Sequence, residues 1–501
     1  MRPRPSTFGD ARWASSWALR RAGFLQNTGL IIGKKRVFGR TRLLRFNGDG
    51  HVSVIAPPGA GKTSGFVIPN LLEHPGSVIV NDPKGENFDI THRQRQKFGK
   101  VYALNLIDIN ASHRFNPLDM VRIETEHAAD DAELVADLMV SPDVRGEAHW
   151  DDKARMRLTG MILYVMSALP AERRNLLEVR RQLMQVEADF DDMLETMTVS
   201  PFETVREAAS DFRRMTDGER SGVLSNMEKA TKLWSADRPI ARIVTKSDFD
   251  LMSFKDETRT LYIVIPPGKR NTYAPLLRLM AGLALEAMTR NMRRPAHPVL
   301  LMFDEARALG RLDQLPQAIA EQRGYGVRVI PIWQDERQPL QLYGDEGHSI
   351  ISMCTLQLFF GLSDDRTAET LSKRIGQYTV RSHQTGQSGE VDDLMHTGRS
   401  RGESEAGRPL IYASEIIRSP DVFAILPKVD AIRCKGVRYF QEKRWAGLYD
   451  RWRGMAAPDS IIEPPDVLSD INDPLNAPSE PLEDFIPLDL EKTPRSSPGA
   501  A

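Results

Sequence analysis

The stretch HVSVIAPPGAGKTS, residues 51–64, decides how the rest of this 501-residue chain is read. A short apolar run, Val52 to Ile55, enters a segment of small residues, Ala56-Pro57-Pro58-Gly59-Ala60-Gly61, and leaves through Lys62 and Thr63 into a helical pattern. A strand, a small-residue turn and a helix start in that order aim successive backbone N–H groups at one point, where the helix terminus adds partial positive charge. A phosphate chain suits such a point. The spacing is that of G-x-x-x-x-G-K-[ST], with Ala56 standing at the first glycine. Alanine is tolerated there if the position keeps a negative φ. Lys62 is then a point charge for the β- and γ-phosphates of ATP, and Thr63 offers a hydroxyl to Mg²⁺. Pro58, Gly59, Ala60, Gly61 and Ser64 complete the cradle. Pro69, two turns on, is expected to kink or end the helix early.

Further apolar runs follow at Ser77 to Asn81, Lys100 to Leu106, Thr260 to Ile265, Pro298 to Phe303, Val327 to Ile332, Thr355 to Phe360 and Val422 to Leu426. Such runs separated by helical stretches predict an α/β fold with a mostly parallel sheet buried on both faces. Residues 124–245 lose the strand signal and carry helical periodicity, which predicts an inserted all-α domain. The expected domains are therefore 1–45 as an N-terminal segment, 46–123 with 246–455 as the nucleotide-binding domain, and 124–245 as the insertion. The N-terminal segment mixes short basic helical stretches with a strand signal at Gly29 to Ile32. Residues 381–407, rich in Ser, Gly, Gln and Glu, suggest a mobile loop. Residues 456–501 are Pro-rich with ten acidic and two basic residues, a composition that predicts disorder.

The run Val299 to Phe303 ends in Asp304-Glu305. Beside a phosphate loop in a parallel sheet, Asp304 is placed to hold Mg²⁺ and Glu305 to polarise an attacking water. Gln334 follows the next strand, either as a γ-phosphate or water contact or as a turn residue. Asp82, Lys84 and Glu86 lie at the carboxyl end of a neighbouring strand, where open α/β sheets place their ligands, or on a solvated loop.

Bulk composition narrows the rest. Sixty-seven basic residues against 68 acidic leave a net charge of −1, so nucleic-acid binding requires a local basic surface. Two distant cysteines exclude a disulfide framework and fit a reducing compartment. The longest apolar run, Leu158 to Leu169, is too short to span a bilayer and reads as a buried core helix. The basic N-terminus lacks a secretory signal, and a cytoplasmic location follows.

Taken in order, the loop 56–63, Val67 to Leu72, Asp82 to Asn87, Phe303-Asp304-Glu305 through Leu312, Gly324 to Arg328, Gln334 and Gly407 to Leu410 resemble the VirD4/TraG type IV secretion coupling proteins. Asp10 to Ala14 extends the resemblance, which covers about residues 9–445. It implies a RecA-like motor of the FtsK/HerA type, a homo-hexameric ring, and ATP-driven movement of a relaxase-bound, single-stranded DNA or of protein effectors toward a secretion channel. By position, Lys62 and Thr63 become the phosphate and Mg²⁺ contacts, Asp304 the Walker B acid, Glu305 the catalytic base, Gln334 a sensor and Arg374 an arginine finger for a neighbouring subunit. Arg307 and Arg311 are candidates for the channel lining. Family members usually begin with two transmembrane helices and none is legible here, so the expectation is either a truncated chain or, the favoured alternative, a branch reaching the bacterial inner membrane through partners. A protein-docking receptor using nucleotide as a switch, and a DNA motor unrelated to secretion, are the competing readings.

Overall fold

The computed structural model describes residues 7–140, 148–388 and 398–453. The strands run in chain order β1 (Leu30–Val37), β2 (Arg40–Phe46), β3 (Val52–Ile55), β4 (Val78–Asp82), β5 (Lys100–Asn105), β6 (Arg259–Val264), β7 (Val299–Phe303), β8 (Val327–Trp333) and β9 (Leu356–Phe360). They continue with β10 (Gln377–Ser388), β11 (Gly398–Pro409), β12 (Asp421–Leu426) and β13 (Val429–Lys435). Eleven of these form one sheet in the order β2-β1-β13-β12-β9-β3-β8-β7-β4-β6-β5. From β9 to β5 every pairing is parallel, and the remaining four strands add to the β9 side in antiparallel fashion. The centre is parallel because its strands read as unbroken apolar runs. β3, β4, β7, β8 and β9 are buried at every residue, as a sheet covered on both faces requires.

Helices α1 (Ser16–Arg21), α2 (Ile68–Glu73) and α3 (Glu86–Gln96) precede the long excursion between β5 and β6. That excursion carries α4 (Ala128–Met139), α5 (Ala148–Ala168), α6 (Leu176–Leu183), α7 (Glu187–Thr198), α8 (Glu203–Arg214) and α9 (Asp217–Thr231), with no strand among its described residues. The apolar run at Leu158 is the buried side of α5, where Leu158, Met161, Ile162, Leu163 and Val165 are fully covered. One apolar core joins these helices to one face of the sheet through α10 (Arg270–Arg290). Contact between α10 and α4 is close enough that a Cβ on Gly282 would fall 2.2 Å from Leu138. The opposite face of the sheet packs on α1 and on the helix leaving the phosphate loop.

Two parts of the fold differ from expectation. The N-terminal segment carries α1 and then a β-hairpin, with β2 an additional strand; each strand is buried in a block, Leu30–Gly33 of β1 and Leu44–Phe46 of β2, and the basic, exposed or half-buried residues toward the turn gave no strand period to read. The expected mobile loop 381–407 lies mostly in an antiparallel ribbon, β10 with β11, registered from Gln377–Pro409 to Ser388–Gly398. A ladder of backbone hydrogen bonds needs no apolar side chains, so composition did not reveal it. Residues 389–397 of that loop and the expected disordered tail lie outside the described residues. No described helix is long and apolar enough to cross a membrane.

Candidate nucleotide-binding site

The loop between β3 and the helix that follows is built by two glycines in the left-handed region, Gly59 at φ 79° and Gly61 at φ 83°. Ala56 keeps a negative φ and is buried, so the absent glycine costs nothing there. The Gly65 N–H reaches the Gly61 carbonyl at 2.8 Å and starts the helix. The next turn, Thr63–Val67, is wide, with the Ile68 N–H bonded to the Thr63 carbonyl, before α2 continues with Pro69 in its first turn and ends at Glu73. The widening falls where the Pro69 ring would otherwise meet the Gly65 carbonyl. The helix is therefore not ended at Pro69, as one alternative had it, but runs on to Glu73 after a local widening that accommodates the ring.

Neighbouring elements hold the helix from behind. Buried Asn70 accepts the Ile31 N–H at 2.7 Å and donates to the Ile31 and Phe66 carbonyls at 3.0 and 2.8 Å. Arg95, fully buried on α3, donates to the Gly76 carbonyl at 2.6 Å and to Thr260 Oγ1 at 2.8 Å, and also contacts the His74 carbonyl. These bonds satisfy the carbonyls after α2 and tie the loop to the sheet.

Lys62 Nζ lies 2.7 Å from Asp304 Oδ1, across the width of β8. Both side chains are mostly buried, at 17% and 7% exposure. The contact is an ion pair without linear hydrogen-bond geometry, so Asp304 Oδ1 keeps unused acceptor capacity. Asn81 donates to the Asp304 carbonyl, and its own Oδ1 has no hydrogen-bond partner among the described residues. The Asp304 carboxylate and the unpartnered Asn81 Oδ1, with the hydroxyl of Thr63 next in sequence to Lys62, are the kind of oxygen donors that a hydrated divalent cation takes.

Glu305 occupies the left-handed region, φ 68° and ψ 58°, which is uncommon for a residue with a side chain. Arg270 Nη1, from the first position of α10, meets its Oε1 at 2.8 Å and its Oε2 at 2.6 Å. Gln334 Nε2, beyond the end of β8, donates to Glu305 Oε1 at 3.3 Å, and its backbone N–H bonds Gln338 Oε1 at 3.0 Å, so the residue both touches Glu305 and closes the turn after the strand. Sequence did not single out Arg270; it follows Pro266-Pro267-Gly268-Lys269 at the carboxyl end of β6, the same edge of the sheet, and that position was its only signal.

Arg438 was also missed. Its Nη1 donates to the Gly61 carbonyl at 3.2 Å, and a Cβ on Gly61 would fall 2.0 Å from that nitrogen. Ser64 Oγ reaches the same carbonyl at 3.4 Å. Asp82 is fully buried and accepts the Phe88 N–H at 2.8 Å. Burial pushes its carboxyl up to about 7 against the backbone donors, with Asp304 adding to the rise. Glu86 is raised by burial as well, partly opposed by Lys84, which is exposed. Asp82 thus holds the turn into α3 through the Lys84 and Phe88 N–H groups, Glu86 is half-buried at the start of that helix, and Lys84 is exposed.

Arg374 lies apart from this cluster. It bonds Glu336 of its own chain at 3.2 Å and stacks over Phe359. Arg311 pairs with Asp313 at 2.7 Å and covers the Tyr343 ring, while Arg307 is exposed. A cleft of about 300 Å³ flanks the loop, lined by Pro57, Pro58, Gln334, Asp335 and Asp364. A larger cavity of about 460 Å³, between Ser77, Lys255, Arg293 and His297, sits at the amino ends of β4, β6 and β7 and away from this chemistry.

A family profile described as "Type IV secretory system Conjugative DNA transfer" matches residues 12–477. The Escherichia coli conjugal transfer protein TraG is 30% identical over 452 residues, covering 82% of this chain and 71% of that protein. Protein VirD4 of Rhizobium radiobacter is 28% identical over 497 residues, covering 92% and 67%. Among solved structures, the plasmid coupling protein TrwB in complex with a non-hydrolysable ATP analogue aligns with a TM-score of 0.65 at 16% identity, over 87% of this chain and 96% of that one. TrwB in complex with ADP and Mg²⁺ aligns at 0.63 and 17%, with the same coverage. At such identity the likeness is one of fold.

Proposed function

The chain belongs to the VirD4/TraG family of type IV secretion coupling proteins for conjugative DNA transfer, and from that premise we propose that it binds Mg-ATP at residues 58–64 and hydrolyses it. The 2.7 Å approach of Lys62 to Asp304 carries this conclusion, since it brings the phosphate lysine and the metal acid to one point at the carboxyl edge of the sheet. The TrwB structures, one with ADP and Mg²⁺ and another with an ATP analogue, support it by analogy of fold.

In this reading the amides around Gly59 and Gly61 hold the phosphates, and Lys62 exchanges Asp304 for the β- and γ-phosphate oxygens. Thr63 and Asp304 are the residues that would hold Mg²⁺, which when bound neutralises phosphate charge. Glu305 takes a proton from the attacking water, positioned by Arg270 and Gln334. Arg374 would serve a neighbouring subunit once its pair with Glu336 opens in a homo-hexamer. Hydrolysis then drives a relaxase-bound DNA strand, or a protein effector, toward secretion-channel partners at the inner membrane.

The test is ATPase rate of the full chain with Mg²⁺, with and without single-stranded DNA at low salt, beside mass determination in solution. Hydrolysis that rises with DNA and falls to background in Lys62→Ala and in Glu305→Gln is the expected result. Absence of Mg-ATP hydrolysis in both conditions overturns the enzymatic claim. Hydrolysis indifferent to DNA, without DNA binding, overturns the claim that DNA is moved.

A further inference from the structure

From Ala11 to Gly48 the chain holds nine basic residues and no acidic one. The fold neutralises or covers four of them. Arg12 pairs with Asp430, Lys34 with Glu442 and Arg45 with Glu73, while Lys35 is partly buried with its ammonium near the Ala14 carbonyl. The other five, Arg20, Arg21, Arg36, Arg40 and Arg42, are all exposed and have no carboxylate within ion-pair distance among the described residues. Register makes the crowding worse, because Lys35 stands directly across from Arg42 on the β1–β2 ladder. Like charges placed opposite destabilise a hairpin unless an anion lies between or beside them.

Two aromatic side chains stand among these cations. Trp17 on α1 is 69% exposed and Phe38, at the tip of the β1–β2 turn, is 48% exposed. Their rings meet edge to face with centroids 5.2 Å apart, which ties α1 to the hairpin tip. Phe38 sits at φ 48°, a conformation that a residue with a side chain adopts at a cost, and one that leaves its ring outside the core. β2 is the outer strand of the sheet, so the whole corner projects at one edge of the molecule.

We infer that this corner docks on an anionic phospholipid bilayer, with Trp17 and Phe38 at headgroup depth and Arg20, Arg21, Arg40 and Arg42 on lipid phosphates; Arg36 lies on the other face of the hairpin, its Nε donating to the Gly39 carbonyl. Exposed aromatic bodies within a ring of cations are what the interface of an acidic membrane selects. A single-stranded nucleic acid would need a free ring face on which to stack a base. The Arg20 guanidinium lies 5.8 Å from the Trp17 ring centre and the Phe38 ring abuts it, so the pair presents apolar bulk more than an open face. This corner is separate from the nucleotide site and its role does not depend on hydrolysis.

Co-sedimentation of the full chain with vesicles tests it. Binding is expected to vesicles of phosphatidylcholine and phosphatidylglycerol in equal parts, to weaken as salt rises, and to be absent with phosphatidylcholine alone. The double variant Arg40→Glu with Arg42→Glu should lose at least about 10-fold in vesicle affinity, since each cation near such a surface contributes measurably. Trp17→Ala with Phe38→Ala should lose several-fold while keeping the salt dependence. An unchanged thermal midpoint keeps these results attributable to the surface, and Arg40→Gln with Arg42→Gln replaces the glutamate pair if that midpoint falls. Equal binding to both vesicle types, no binding, or variants that bind like the parent overturn the inference. So does a pattern in which the variants lose a single-stranded oligonucleotide but keep the vesicles, which makes the corner a nucleic-acid surface.

Discussion

Arg270 Nη1 touches both carboxylate oxygens of Glu305, at 2.8 and 2.6 Å, while Gln334 reaches one of them from the adjoining strand end. A carboxylate engaged in this way has one orientation, as the base proposed here for water requires. Arg270→Ala should therefore lower kcat for ATP by about 10- to 100-fold, in the range of a displaced general base. The KM for ATP should move less than about two-fold, because no phosphate contact is removed. Steady-state kinetics of the variant decides this, and a large rise in KM with unchanged kcat would place Arg270 on the nucleotide instead.

The backbone of Glu305 offers a separate measurement. Its φ of 68° is costly for any residue with a Cβ and free for glycine. Glu305→Gly should be more stable than Glu305→Ala by about 1 kcal/mol in chemical denaturation, although both lack the carboxylate. Equal stability of the two would show that the left-handed conformation relaxes on folding in solution.

Arg438 pins the Gly61 carbonyl from a segment nearly four hundred residues downstream. The same carbonyl takes the Gly65 N–H, so this bond fixes the first turn of the helix directly behind the proposed phosphate loop. Arg438→Ala should weaken Mg-ADP binding by about 10-fold, the worth of one charge-assisted hydrogen bond. Calorimetric titration of the variant checks it, with the thermal midpoint as control.

Asp82 predicts a dependence on pH. Burial raises its carboxyl in the folded state to about 7, above its unfolded value of 3.8. The folded chain therefore holds this proton where the unfolded chain has lost it, and stability contributed by the site falls as pH rises from about 4 to about 7. Asp82→Asn removes the titration. The stability of the variant relative to the parent should rise through that window by up to about 1.4 kcal/mol per pH unit and be flat above it. Nucleotide-free denaturation curves at several pH values measure the difference. A relative stability that stays constant with pH would mean that Asp82 is ionised throughout.

Much of this chain is written locally. The runs at Val52, Val78, Val299 and Val327 are apolar at nearly every position, which leaves a strand buried on both faces as the economical solution, and each strand appears within a residue or two of its expected place. The loop at 56–63 is legible because its chemistry needs small residues, a lysine and a hydroxyl in consecutive positions, and the helical excursion is legible because its period persists for about a hundred residues. The ribbon β10–β11 was not, since its ladder is made by backbone groups that every residue carries. Nor were Arg270 and Arg438. An arginine is ordinarily solvated, and nothing beside it in sequence distinguishes one that bonds Glu305 or Gly61 from one that bonds water. That distinction arises only when β6 and the segment after β13 are brought alongside the loop by the order of strands in the sheet. Sequence thus determined the class of fold and the positions of the proposed phosphate loop and acidic pair, which are read from contiguous residues. Tertiary structure alone decided which distant cations hold that machinery in position, because contact between residues hundreds of positions apart is a property of the sheet's topology.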